Sequence, residues 1–155
     1  MITFFRNIFN NIKPGILIPF LILIPNILWM IFPTTDSGEV KKEPILLTII
    51  ENIGRIATLI IPVFYSINWQ KKISVPVLVM MGITLMIYYV AWGRFFLNGR
   101  TSDYLSKPLF GIPLPLALAP ILFFMLSAYI LDSWWMFIAS LIFGVAHIWI
   151  SVMTL

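Results

Sequence analysis

The sequence predicts an all-α membrane protein: a five-helix transmembrane bundle with a short N-terminal interfacial helix and a tight hairpin between the fourth and fifth helices. Three observations lead there. The chain of 155 residues is 61% hydrophobic and only 10% charged, whereas soluble domains run at roughly 45–50% apolar and about 25% charged. Its apolar residues gather in runs long enough to cross ~30 Å of hydrocarbon, which takes ~20 residues. Its six tryptophans fall near the ends of those runs, where an amphipathic ring is favoured.

The first element is MITFFRNIFNNIK, in which Ile2, Phe5, Ile8, Phe9 and Ile12 recur at helical spacing with polar residues between them. This pattern predicts a helix lying in the membrane interface. No small-residue cleavage site follows it, and the next apolar run is long enough to remain as a span. The five expected spans are Pro14–Pro33, Ile45–Ile67, Ser74–Leu97, Leu109–Leu131 and Ser133–Leu155, forming a single domain over 1–155. Alternating direction brings Trp29, Trp92 and Trp149 to one surface and Trp69, Trp134 and Trp135 to the other. Pro19, Pro25, Pro113, Pro115 and Pro120 predict kinks in spans one and four, with freed carbonyls that neighbours must satisfy.

The basic residues of the two sides tie: Arg6, Lys13, Lys71 and Lys72 against Lys41, Lys42, Arg100 and Lys107. The two basic residues preceding the first span tip the expectation towards a cytoplasmic N-terminus. Without cysteine, disulfides, thiolate metal sites and cysteine nucleophiles are excluded. The basic residues form no nucleic-acid footprint and suit anionic lipid headgroups. One histidine with one intramembrane carboxylate makes no metal site, no phosphate loop or HExxH motif occurs, and no cofactor is expected. Membrane lipids are the expected partners; oligomeric state is left open.

The functional candidates come from depth. Glu51 and Arg55 interrupt the greasy run IIENIGRIATLII at i,i+4, where they can partly neutralise each other. Intramembrane ionisable residues are costly and point to function. At ~1.5 Å per residue, Asn26, Glu51 and His147 all lie ~10–12 Å below one surface, with Tyr88 deeper, Arg94 shallower and Arg55 near the midplane. Thr48, Glu51, Arg55 and Thr58 form one stripe of span two, and Ser140, Gly144, His147 and Ser151 one stripe of span five. Such small-polar stripes mark helix–helix faces. The other half of the bilayer carries only Ser66, Ser127 and Ser140. Asp103 and Lys107 are expected to be solvated loop charges beside the mouth of the cluster.

Asn26, Glu51, Arg55, Tyr88, Arg94 and His147 therefore form the expected pocket, open to one side, for a small anionic or amphiphilic ligand that is bound or carried. Two other readings stay open: an intramembrane enzyme acting on a lipid headgroup by Glu51/His147 acid–base chemistry, and a non-catalytic interaction or immunity-type protein. The segments WGRFFLNGR, KPLFGIPLPLALAPILFF and FGVAHIWIS, in the last two-fifths of the chain, resemble small multi-span membrane proteins of low-GC Gram-positive bacteria. The resemblance implies a bacterial plasma-membrane location and draws attention to Arg94, Arg100, Pro113, Pro115 and His147. It implies no activity.

Overall fold

The computed structural model describes residues 13–36, 43–68 and 74–153. The expected interfacial helix falls almost wholly outside them, as do Trp69, Lys41, Lys42, Lys71 and Lys72. A 3₁₀ turn, Pro14–Ile16, leads into α1, Leu17–Ile31. Next come α2, Ile45–Ile60, ending in a 3₁₀ turn at Ile61–Phe64, and α3, Ser74–Leu97. A four-residue helix α4, Asp103–Ser106, precedes α5, Pro115–Leu131, and α6, Trp134–Met153. Among the described residues the only β-type pairing is an isolated Leu109–Ile112 bridge.

Among the described residues, four helical stretches are long and apolar enough to cross a membrane: Pro14–Ile31, Ile45–Phe64, Val75–Leu97 and Trp134–Met153. Their outward faces carry large apolar side chains such as Phe20, Ile53, Met86 and Val145, a surface unsuited to water. The fourth expected span is corrected. Its helix begins at Pro115 rather than Leu109, and its 17 residues cover about 25 Å at ~1.5 Å each. Pro113 and Pro115 are the cause, because a residue before proline is pushed out of the helical region. Leu114, caught between them, sits at φ 49°, ψ 55°, while Pro115 takes the first helical position, where a missing N–H costs nothing. The preceding Leu109–Ile112 turn has positive φ at both central residues, Phe110 and Gly111, as a type I′ turn requires.

Helix α2 packs on α6, α6 on α5, and α5 on α3, while α1 touches α2, α3 and α5 more sparingly. Glycines set the closest approaches. A Cβ on Gly54 would lie 2.7 Å from the Phe143 backbone nitrogen, and one on Gly144 would lie 2.8 Å from Ile121. Helices α5 and α6 are joined by two residues. Asp132 takes a left-handed conformation (φ 55°), and the Ser133 amide donates back to the Ala128 carbonyl at 3.0 Å. Ser133 Oγ in turn accepts from the Met136 amide at 3.2 Å, starting α6.

The core is aromatic. Trp92 stacks on Phe96, with centroids 5.6 Å apart, and meets Phe95 and Tyr88 edge-on. Trp92 therefore departs from the interface role expected of it: it is 7% exposed, while Trp134, Trp135 and Trp149 are mostly exposed. Ser127 and Ser140 each donate to a carbonyl four residues earlier, at 2.6 Å, so these two hydroxyls are satisfied within their own helices.

Candidate functional site

Glu51 is 5% exposed, on the face of α2 that meets α6. Its Oε1 pairs with Arg55 Nη2 one turn along the same helix, and His147 Nδ1 of α6 lies 2.6 Å from the same oxygen. One carboxylate oxygen thus holds two cation-capable side chains. Phe143 completes the arrangement. Its ring stacks on the His147 imidazole at 5.0 Å and 18°, and the Arg55 guanidinium lies 5.9 Å from its centroid.

The second polar group lies between α1 and α3. Asn26 Nδ2 donates to the Ile22 carbonyl at 2.7 Å and to Tyr88 Oη at 2.8 Å, and Tyr88 Oη donates to Ile22 at 3.3 Å. Pro25 explains part of this concentration. It offers no N–H to the Leu21 carbonyl, and Tyr89 Oη supplies that carbonyl instead, at 2.8 Å.

Between these two groups lies a cavity of about 670 Å³, within the range of small-molecule sites. Asn26, Arg55, Tyr88 and His147 all line it. Glu51 stands behind the wall, anchoring Arg55 and His147 rather than facing the cavity. The remaining lining is mainly apolar, from Leu23, Leu59, Leu116, Pro120 and Phe124 among others.

Arg94 is the expected site residue that the structure places elsewhere. Its Nη1 and Nη2 donate to the carbonyls of Pro108 and Lys107, at 2.8 and 3.1 Å, and its guanidinium lies 5.7 Å from the Tyr104 ring. Lys107 Nζ lies 4.6 Å from the same ring. Arg94 therefore fastens the segment that closes the cavity. That segment contributes Ser102, Leu105, Ser106 and Leu114 to the lining. A second tie comes from the end of α1. Asp36 accepts from the Ser102 hydroxyl at 2.6 Å and from its amide at 2.9 Å, and Thr35 Oγ1 donates to Gly99 at 2.7 Å. The Ser102 bonds hold the Asp36 carboxyl below its ordinary value of 3.8.

Reasoning from sequence missed Ser102, Ser106 and Leu114, because a charged loop carries no signal of folding back over a bundle. It also missed Trp92 as a lining residue. The Trp92 indole N–H is sealed from solvent and reaches no acceptor at hydrogen-bond geometry.

The fold and this cavity define a class: a helical protein, with four described helices apolar enough to span a membrane, whose largely apolar cavity carries a few polar side chains. Comparison with protein-family models, with curated proteins and with solved structures returns no match, so the functional reading rests on the geometry alone.

Proposed function

We propose that the protein is a five-helix integral protein of a bacterial plasma membrane, with a cytoplasmic N-terminus, whose cavity binds or carries a small anionic amphiphile. The observation that carries the reading is Arg55. Its guanidinium lines a largely apolar cavity while its counter-charge, Glu51, is withdrawn behind the wall. A charged group kept in the membrane at a cost of about 2.5–3.5 kcal/mol on insertion scales gains little from a partner that merely cancels it. A ligand oxyanion facing the free side of Arg55 gives the pair a use. The sparse packing of α1, with Ile27 through Phe32 all exposed, offers an amphiphile a route from the lipid.

The Glu51–His147 contact favours a second reading, acid–base chemistry on a lipid headgroup, since a carboxylate orients an imidazole for proton transfer. Loss of headgroup turnover in His147→Ala, in protein that still folds, would select it.

The leading reading is tested in phosphatidylcholine nanodiscs by thermal unfolding with dodecyl phosphate. Saturation to 100 times Kd stabilises a binder by about 2.7 kcal/mol. That shift is expected for the native chain and not for Arg55→Gln, in which Glu51 keeps His147. Equal shifts in both proteins would end the reading.

A further inference from the structure

The partners of the cavity side chains fix what each one presents to a ligand. Glu51 Oε1 accepts from the Arg55 guanidinium, so His147 Nδ1, 2.6 Å away, carries the proton that completes its bond to the same oxygen. Asn26 donates through Nδ2 to the Ile22 carbonyl. A peptide carbonyl only accepts, so the amide cannot be reversed and Oδ1 is left as an acceptor. Arg55 engages Glu51 through Nη2, which leaves Nη1 and Nε as donors.

Within the described residues Asn26 Oδ1 meets no donor. Trp92 Nε1 is the one polar side-chain atom there that is both sealed and unpartnered. Oδ1 therefore keeps accessible surface, in a residue that lines the cavity. The lining combines one fixed cation with one fixed acceptor. A ligand head that is only an oxyanion would turn lone pairs towards Oδ1. An ammonium would satisfy the acceptor but confront Arg55.

We infer that the ligand's head carries an oxyanion together with at least one hydroxyl donor, on a single apolar chain. The oxyanion faces Arg55, a hydroxyl hydrogen reaches Asn26 Oδ1, and the chain lies along Leu116, Pro120 and Phe124. This rests on the cavity being the ligand site, and it adds the hydroxyl requirement.

A matched pair of probes in phosphatidylcholine nanodiscs tests it: 1-dodecanoyl-glycerol 3-phosphate and the 1,3-propanediol analogue that lacks only the secondary hydroxyl. One neutral hydrogen bond amounts to roughly a three- to tenfold preference for the hydroxylated probe. That preference should shrink to less than twofold in Asn26→Val, which should still bind the analogue. Glycerol 3-phosphate without a chain and 1-dodecanoylglycerol without a charge should each bind at least tenfold more weakly than the full probe. Equal affinity of the matched pair in the native chain overturns the hydroxyl requirement. It leaves the cavity reading standing if Arg55→Gln still abolishes binding. Full-strength binding of glycerol 3-phosphate overturns the amphiphile and points to a soluble anion. If the native chain binds none of the probes, both the inference and the cavity reading fall.

Discussion

Asp36 and Ser102 show how a pair of surface residues can govern a buried space. The Asp36 carboxylate receives two donors from Ser102 and sits outside the spans, where water and protons reach it. Its folded-state pKa is depressed by those bonds from 3.8, so their contribution is fully present above that value. It is lost as pH falls through the lower, folded value. The expected outcome is a fall in unfolding temperature as pH drops below 3.8 that is smaller in Asp36→Asn. Identical pH profiles for the two proteins would show that the tie does not hold. The residue scale also shows the limits of sequence. Glu51 and His147 are 96 positions apart, and their meeting was legible because depth could be counted along two spans. Arg94 was legible as an intramembrane cation but not as a loop fastener, since its acceptors are backbone carbonyls that no side-chain pattern announces.

At the scale of elements, prolines and glycines decide the geometry. Pro25 frees the Leu21 carbonyl and Tyr89 supplies it, so the two residues should be coupled. Tyr89→Phe is expected to cost about 1 kcal/mol in the native chain and close to nothing in a Pro25→Ala background, where the restored N–H serves Leu21. A double-mutant cycle in unfolding free energy measures this, and additivity would contradict it. Gly54 makes a sharper case. Its missing Cβ would lie 2.7 Å from backbone of α6, whereas nothing lies within 4 Å of the corresponding position on Gly82. Gly54→Ala should destabilise by about 1–3 kcal/mol through forced separation of α2 and α6. Gly82→Ala should be neutral or stabilise by up to about 1 kcal/mol through helix propensity. Unfolding of both variants in mixed micelles checks the pair. The sequence showed the prolines but not their full consequence: Leu114, kept out of the right-handed helical region by Pro115, sits left-handed, and α5 starts six residues after the expected start.

For the molecule as a whole, the threading can be tested because the chain has no cysteine. With five crossings and a cytoplasmic N-terminus, an impermeant maleimide should label Asp103→Cys from outside the cell and Ser66→Cys only from within. Labelling of both from one side would refute the alternation, and exchange of the two sides would refute the orientation.

The sequence by itself determined the helical class, the apolar stretches able to cross a membrane, and the polar stripes of α2 and α6. Those follow from composition and period, which act along one helix at a time. Only the tertiary structure decided that Glu51 stands behind the cavity wall while Arg55 and His147 face it, that Trp92 is buried, and that the 98–114 segment closes over one end. Those outcomes depend on rotation and approach between helices, which are set by backbone-to-backbone contacts at Gly54 and Gly144 and by hydrogen bonds to loop carbonyls. Neither leaves a periodic trace in the sequence.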